Sequence, residues 1–210
     1  MNKGVFVVIE GVDGAGKTAL IEGFKKLYPT KFLNYQLTYT REPGGTLLAE
    51  KIRQLLLNET MEPLTEAYLF AAARTEHISK LIKPAIEKEQ LVISDRFVFS
   101  SFAYQGLSKK IGIDTVKQIN HHALRNMMPN FTFILDCNFK EVLQRMQKRG
   151  NDNLLDEFIK GKNDFDTVRS YYLSLVDKKN CFLINGDNKQ EHLEKFIELL
   201  TRCLQQPTHY

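Results

Sequence analysis

The sequence predicts an α/β protein in which a doubly wound parallel sheet of five strands carries helices on both faces, making three layers. Short apolar runs rich in β-branched residues recur between helical patterns along the 210 residues of the chain. A glycine-rich turn follows the first of these runs and leads into a helical pattern. No internal repeat or low-complexity linker interrupts the alternation, so we expect a single domain over residues 1–210.

Each predicted element has its own pattern. The predicted strands are apolar runs at residues 5–9, 35–39, 91–94, 131–135 and 182–184. The clearest helical patterns lie at residues 64–82, 140–148, 165–176 and 191–204. The first of these helices is predicted to bury a stripe made of Leu64, Tyr68, Ala71, Thr75, Ile78 and Ile82. Residues 150–163 are polar and interrupted by Asn and Gly, which predicts a mobile lid inserted into the domain.

Composition and charge narrow the classes of function. No apolar run is long enough to span a bilayer, and the N-terminus leads straight into a strand rather than a signal sequence. Cys137, Cys181 and Cys203 lie far apart without C-x-x-C spacing, which predicts reduced thiols in a cytoplasmic protein. The net charge of +4 is not concentrated in a long basic run, so it favours a small anionic substrate over nucleic acid.

The strongest motif is the segment GVDGAGKT after the first predicted strand. It matches the pattern G-x-x-x-x-G-K-[ST] at Gly11, Gly16, Lys17 and Thr18. Glycine lets backbone N–H groups turn inward around a polyphosphate, and the following helix points its N-terminus at the same place. The motif predicts a nucleotide site whose lysine reaches the β and γ oxygens and whose threonine can ligate Mg2+. Its residues are Gly11, Val12, Asp13, Gly14, Ala15, Gly16, Lys17, Thr18 and Ala19.

Charged residues at two other strand ends predict a second anion site. Asp95 and Arg96 follow the strand at 91–94, and ligands of doubly wound sheets bind beyond the carboxyl ends of the strands. A carboxylate there can hold Mg2+ or its waters, and a guanidinium can bind a phosphate through two parallel hydrogen bonds. Arg41 follows the neighbouring strand, just before a Pro-Gly-Gly turn. Taken alone, such residues are also typical of a solvated strand end, but two arginines suggest a phosphate-bearing acceptor.

A candidate base site lies on the helix at 64–82. Phe70 and Arg74 are four residues apart and therefore share one side of that helix. An aromatic ring can stack on a nucleobase, and a guanidinium can donate to its carbonyl oxygen. The alternative is a core phenylalanine below a surface arginine. His77 is expected to pack or to form local hydrogen bonds.

Together these residues resemble the thymidylate kinases, a family of nucleoside monophosphate kinases. The segments EGVDGAGKT, TREPGG, LFAAARTEH, SDRFVFSSFAYQG and RSYYLSL occur in the family's order and at its spacing. The resemblance implies a P-loop kinase fold and the transfer of a phosphoryl group from ATP to dTMP with Mg2+, giving dTDP for dTTP synthesis. It also implies a cytoplasmic homodimer that binds neither nucleic acid nor membrane, with the dimer contact in residues 64–82 or 112–126.

The resemblance further implies roles for single residues on the phosphate side. The loop residues that would cradle the ATP phosphates are Gly14, Gly16, Lys17, Thr18 and Ala19. Asp13 would lie near the sugar hydroxyl or the metal of the acceptor, and Asp95 beside the magnesium. Arg41 and Arg96 would bind the dTMP phosphate.

For the nucleoside, the resemblance implies that Phe70 stacks on thymine and that Arg74 meets its 4-oxo group. Glu42 would order this site, and Pro43 would form a wall beside the base. Ser101 and Gln105 would line the site, and Tyr104 would fill the space of a ribose 2′-hydroxyl.

The lid departs from the family pattern. The phosphate loop has Gly14-Ala15 where one branch of the family carries an arginine, so the lid is expected to supply the catalytic cation. Residues 155–157, however, are Leu-Asp-Glu where relatives often have Leu-Asp-Arg. We therefore expect Arg149, or Arg145 or Lys160 in its place, to reach the transferring group. Arg169 is expected either to anchor the lid or to pair with a carboxylate.

Two alternatives stay open from the sequence. The acceptor could instead be dUMP, a guanylate or a deoxynucleoside. Phe70, Arg74 and Tyr104 favour a pyrimidine deoxynucleotide, but some use of dUMP is expected because one methyl group is worth only about 1–3 kcal/mol of discrimination. A GTP-dependent switch is weakly suggested by residues 188–191, Asn-Lys-Gln-Glu, which loosely resemble the guanine-reading N-K-x-D. That segment is more simply explained as a helix start near the adenine of ATP.

Overall fold

The computed structural model describes residues 3–149, 161–176, 178–185 and 188–205. Six strands form one sheet in the order β2-β3-β4-β1-β5-β6. The strands are β1 (Val5–Glu10), β2 (Lys31–Phe32), β3 (Tyr35–Arg41), β4 (Leu91–Asp95), β5 (Phe131–Leu135) and β6 (Cys181–Ile184). The five predicted strands are all present and parallel, which confirms the doubly wound α/β prediction. The prediction missed β2, a two-residue antiparallel edge strand that is too short to give a periodic signal.

Nine α-helices surround the sheet in the described part of the chain. They are α1 (Lys17–Leu27), α2 (Leu47–Asn58), α3 (Pro63–His77), α4 (Lys83–Glu87), α5 (Val98–Ser101), α6 (Ile113–Leu124), α7 (Phe139–Arg149), α8 (Lys162–Val176) and α9 (Lys189–Gln205). π-helical turns continue α3 over residues 78–82 and α5 over residues 102–108. No described helix combines the length and apolar character needed to cross a membrane.

The core consists of two apolar clusters, one on each face of the sheet. In β1, Val5, Val7 and Ile9 belong to the cluster beneath α1, α8 and α9, whereas Phe6 and Val8 belong to the opposite cluster. This alternation follows from the two-residue period of a strand. Both faces of β1 are buried, so the three-layer prediction is confirmed.

The buried stripe predicted for residues 64–82 is wrong in its first half. Leu64 and Tyr68 are exposed, Tyr68 to 57%, whereas Glu66, Ala67 and Arg74 are buried. The prediction depends on helical spacing within the segment and takes no account of partners on other elements. In the structure polar partners on neighbouring elements draw Glu66 and Arg74 inward and turn the apolar residues outward.

The predicted lid lies largely outside the described residues. Residues 150–160, including Lys160, lie outside the described residues. Helix α7 ends at Arg149, whose side chain also lies outside the described part. At the other end of the predicted segment, Lys162 and Asn163 belong to the first turn of α8.

Candidate functional site

The phosphate loop joins the end of β1 to the start of α1, as predicted. Gly11, Gly14 and Gly16 all have positive φ angles, at 143°, 78° and 104°. A Cβ atom on Gly11 would lie 2.3 Å from the carbonyl oxygen of Leu135, so this position admits glycine alone. The loop therefore has the backbone geometry that a phosphate cradle requires.

Two cations, Lys17 and Arg145, donate to backbone carbonyl oxygens of this loop. Lys17 is buried, and its Nζ donates to the carbonyl oxygens of Gly11, at 2.9 Å, and of Val12, at 2.8 Å. Burial, followed by the nearby charge of Arg96, lowers the pKa of Lys17 to about 8. Arg145 of α7 donates to the carbonyl oxygens of the loop at Gly14, 3.1 Å, and at Ala15, 2.8 Å. Of the three predicted lid cations, Arg145 is the one whose side chain the structure describes, and it lies against the loop.

A hydroxyl and a carboxylate predicted to hold a metal lie together. The Thr18 hydroxyl donates to Asp95 Oδ2 at 2.7 Å. The other carboxylate oxygen, Asp95 Oδ1, is buried and has no hydrogen-bond partner among the described residues. An unpaired buried oxygen beside a hydroxyl is a donor set that fits a hard cation such as Mg2+. Among the described residues, no group of three or more His, Cys, Asp or Glu side chains could hold a metal.

Arg96 brings the second anion pocket to the phosphate loop. Its NH1 donates to the carbonyl oxygen of Gly11 at 3.3 Å and to Ser100 Oγ at 3.0 Å, and its NH2 forms a close ion pair with Asp13. The guanidinium also lies 5.5 Å from the ring centre of Tyr104, whose hydroxyl accepts from the backbone N–H of Asp13. Burial alone would lower the pKa of Arg96, but the charge of Asp13 raises it well above the ordinary value. Arg96 is therefore a fixed cation at the glycine turn.

A buried glutamate at the end of β1 holds the segment that carries Arg96. Glu10 accepts from the backbone N–H of Phe97 at 2.8 Å, from the Ser100 hydroxyl at 2.7 Å and from the Tyr172 hydroxyl at 3.1 Å. Burial raises its pKa, although Arg96 and these hydrogen bonds oppose the shift. The sequence reasoning missed Glu10. Its only signal was a charged residue directly before the phosphate loop, at the end of an apolar run.

A third arginine joins the predicted pair near the acceptor side. Arg41 is 53% exposed, and its NH2 donates to both carboxylate oxygens of Glu50, at 3.0 and 2.9 Å. Arg53 of α2 donates to the carbonyl oxygen of Pro43 at 3.0 Å. Burial lowers the pKa of Arg53, and the charges of Arg41, Glu50, Asp95 and Arg96 also act on it, so it belongs to the same cluster. The sequence reasoning missed Arg53. The signal was its place one helical turn after Glu50, just beyond the Pro-Gly-Gly turn.

The predicted base site is organised around Arg74. This side chain is only 1% exposed, so the alternative of a surface arginine is wrong. Its Nε and NH2 each lie 2.8 Å from Glu42 Oε2, its NH2 donates to Ser101 Oγ at 3.1 Å, and its NH1 donates to Asn120 Oδ1. Phe70, one turn earlier in α3, is half-buried. Arg74 therefore connects the loop after β3, the segment after β4 and α6.

His77 belongs to the same hydrogen-bond network as Arg74, in agreement with the expected local hydrogen bonding. Its Nδ1 lies 3.1 Å from Glu42 Oε1 and its Nε2 lies 2.6 Å from Thr40 Oγ1. A carboxylate can only accept, so Nδ1 donates, and in the neutral ring Nε2 accepts from the Thr40 hydroxyl. Both oxygens of the buried Glu42 are thus bonded, which fixes the backbone beside Pro43.

A cavity of about 210 Å3 adjoins the outer side of the phosphate loop. Its lining comes from the phosphate loop, α1, α7 and α9: Ala15, Gly16, Ala19, Leu20, Arg145, Lys189 and His192. The side chain of Asn188 accepts from the backbone N–H groups of Gln190, at 2.9 Å, and Glu191, at 3.1 Å, and so caps α9. This explains residues 188–191 as a helix start, as expected, and removes the main support for a guanine-reading motif.

Arg169 pairs with a carboxylate, one of its two expected roles. Its Nε and NH2 each lie 2.7 Å from an oxygen of Asp136. The hydrogen bond to Asp136 raises the pKa of Arg169. This two-point pair fastens α8 to the loop after β5 at the edge of the site.

Comparison with known proteins gives one consistent result. The sequence model of the thymidylate kinase family matches residues 9–197. A thymidylate kinase of Mycoplasma pneumoniae is 62% identical over 208 residues, which are 99% of this chain and 99% of that protein. A thymidylate kinase of Mycoplasma capricolum is 44% identical over 178 residues, 82% of this chain and 81% of its own. The crystal structure of thymidylate kinase from Ehrlichia chaffeensis matches with a TM-score of 0.71 at 30% identity, covering 94% of this chain and 99% of that one.

Proposed function

This chain belongs to the thymidylate kinase family, and on that premise we propose that it transfers the γ-phosphoryl group of ATP to dTMP, giving ADP and dTDP. The observation that carries this proposal is the contact of Arg96 with Gly11 and Asp13. It brings a guanidinium suited to the acceptor phosphate to the loop suited to the donor phosphates. Transfer between two anions depends on positioning and on neutralising charge, and both requirements are met where these two pockets join.

On the donor side, residues 11–19 bind the ATP phosphates. Lys17 exchanges its two carbonyl partners for β and γ oxygens, which restores its full positive charge because anionic partners favour the protonated amine. The adenine base of ATP occupies the cavity between α1 and α9. Arg145, already on the loop, and Arg149 at the end of α7 are the cations that meet the transferring group. Residues 150–163 act as a lid on a single domain.

Thr18 and Asp95 hold Mg2+ in this proposal. The unpaired Asp95 Oδ1 and the adjacent hydroxyl supply two oxygen ligands. An ion held by these two residues would supply positive charge that offsets the negative charge of the transferring phosphoryl group. Asp13 lies beside Arg96, where it can orient that cation or a metal-bound water.

On the acceptor side, Arg41, Arg53 and Arg96 bind the dTMP phosphate. Its oxygen is already a nucleophile, so these residues position and neutralise it and no strong base is required. Tyr104, held against Asp13, occupies the place of a ribose 2′-hydroxyl and so favours deoxynucleotides.

Thymine lies over Phe70 and meets Arg74. The hydrogen bonds of Arg74 to described residues use three of its five N–H groups, one each on Nε, NH1 and NH2, and the second N–H of NH1 is assigned to the 4-oxo group of the base. Glu42 orders this arginine, and Pro43, Ser101 and Gln105 line the remainder of the site.

The test is ADP release with ATP and Mg2+ across dTMP, dUMP, dCMP, dGMP and thymidine. We expect dTMP to have the highest kcat/KM. Arg96→Met is expected to lower the acceptor-dependent rate by at least about a hundredfold. Lys117→Met, which removes a cation from an exposed pair with Asp114, is the matched control and should leave the rate unchanged. A better acceptor than dTMP would overturn the substrate assignment, and ADP release independent of any acceptor would overturn the kinase assignment.

We also propose that the protein is a cytoplasmic homodimer. The neighbouring helices α2 and α3 expose large apolar side chains: Leu47, to 90%, and Leu48, Leu55, Leu64 and Tyr68. A patch of this kind is typical of a subunit interface. Sedimentation of Leu47→Glu should give a monomer, and Leu143→Glu, at an exposed leucine of α7, should leave the dimer intact. A monomeric wild-type protein would contradict the proposal. The free thiols of Cys137, Cys181 and Cys203 support the cytoplasmic setting.

A further inference from the structure

We propose that Glu66 is a positioning residue which fixes the orientation of the Gln105 side-chain amide and thereby selects thymine over cytosine. This inference rests on the proposed function. Glu66 is on α3 and is buried, although nothing in the phosphate chemistry requires a carboxylate there. Its two oxygens have two different partners. Oε1 accepts from Gln105 Nε2 at 2.6 Å, and Oε2 forms a close ion pair with Lys109.

The Glu66–Gln105 contact involves the same helix, α3, that carries the proposed base-site residues. Glu66, Phe70 and Arg74 are four residues apart in turn, so they lie along one side of α3. Ser101 and Gln105 are likewise four apart on the facing helical segment. The contacts Arg74–Ser101 and Glu66–Gln105 therefore connect α3 to the helical segment 98–108 at two points. Phe70 lies between these two points along α3.

The chemistry of the pair determines which way the amide points. An ionised carboxylate can only accept hydrogen bonds, so Gln105 must present its NH2 group to Glu66. The other carboxylate oxygen faces the ammonium group of Lys109, so both oxygens of Glu66 act as acceptors. One amide hydrogen is used in this way, and the second remains available. The amide oxygen of Gln105 accepts no hydrogen bond from a described residue. It is not a fully buried atom, so part of its surface is accessible.

An amide held in this way is complementary to one type of pyrimidine. Thymine presents an N3–H donor next to the O4 acceptor, and an amide with a fixed C=O and N–H can pair with both. Cytosine presents an N3 acceptor next to an amino donor, which requires the opposite orientation of the amide. The orientation that Glu66 imposes therefore rejects cytosine by leaving buried polar groups unpaired. Uracil has the same edge as thymine, so this device does not separate dUMP from dTMP.

The test compares kcat/KM for dTMP, dCMP and dUMP in Glu66→Gln. A neutral amide at position 66 can donate or accept, so the Gln105 amide loses its imposed orientation. We expect the dTMP-to-dCMP ratio to fall by at least about tenfold, mainly through KM, with the dTMP-to-dUMP ratio unchanged. Glu66→Asp, which keeps an acceptor-only group, should retain more of the dTMP-to-dCMP ratio than Glu66→Gln does. Glu62→Gln, an exposed change on the same helix end, is the control.

Gln105→Met provides a second route if Glu66→Gln does not fold. It should lower the same ratio, and adding Glu66→Gln to it should change the ratio no further. An equal loss with dTMP and dCMP in Glu66→Gln, with the ratio preserved, would mean a purely structural role and would overturn the inference. A wild-type protein that phosphorylates none of the three monophosphates would instead overturn the proposed function, so the two failures are distinguishable.

Discussion

Removal of the buried guanidinium of Arg74 tests the network beneath the base site. Arg74→Met deletes the contacts with Glu42, Asn120 and Ser101, and it leaves the Glu42 carboxylate buried with His77 as its remaining side-chain partner. Removing one partner of a buried ion pair costs about 3–5 kcal/mol. For a domain of this size each kcal/mol lowers Tm by about 2–4 °C. We therefore expect Tm to fall by roughly 6–20 °C.

The pair Glu42–Arg74 allows a sharper measurement. In Glu42→Gln/Arg74→Met neither member leaves an unpaired buried charge, so the double variant should lose less stability than the sum of the two single changes. We expect a coupling free energy of about 1–3 kcal/mol from urea unfolding without nucleotide. Lys117→Met, at an exposed pair, serves as the control and should leave the unfolding curve nearly unchanged. Additive single changes, or a loss under about 1 kcal/mol in Arg74→Met, would refute the reasoning.

Three further outcomes follow from the site. Because the pKa of Lys17 is lowered to about 8, its charge is complete below that pH and is lost above it. The kcat/KM for ATP should therefore fall as pH rises through about 8, and Lys17→Arg should lack this decline; a flat wild-type profile to about pH 9.5 would contradict it. Thr18→Ala should raise the Mg2+ concentration for half-maximal rate by about tenfold, and an unchanged Mg2+ titration would exclude the hydroxyl as a ligand. Glu10→Ala leaves the Phe97 N–H and the Ser100 and Tyr172 hydroxyls without their acceptor, so urea unfolding should show a loss of about 2–4 kcal/mol; a loss under 1 kcal/mol would contradict it.

The phosphate loop and the parallel sheet could be predicted from sequence because both are encoded locally. Strand and helix periods are read within one segment, and the loop needs only glycines and a lysine at fixed spacing between a strand and a helix. The approach of Asp95 to Thr18 was also predictable. Carboxyl ends of parallel strands share one edge of the sheet, whatever the details of packing.

The surroundings of Arg74 and Gln105 required the tertiary structure. Arg74 meets Glu42 from 32 residues away and Asn120 from 46, and Gln105 meets Glu66 from 39. Whether such residues meet depends on how far each helix is rotated about its axis when it packs. A rotation that buries polar residues with partners can expose apolar ones, as it does for Leu64 and Tyr68. Sequence alone therefore determined the class of fold and the phosphate loop, whereas packing decided which side chains surround Arg74 and Gln105, because hydrogen bonds between distant segments exist only after the helices dock.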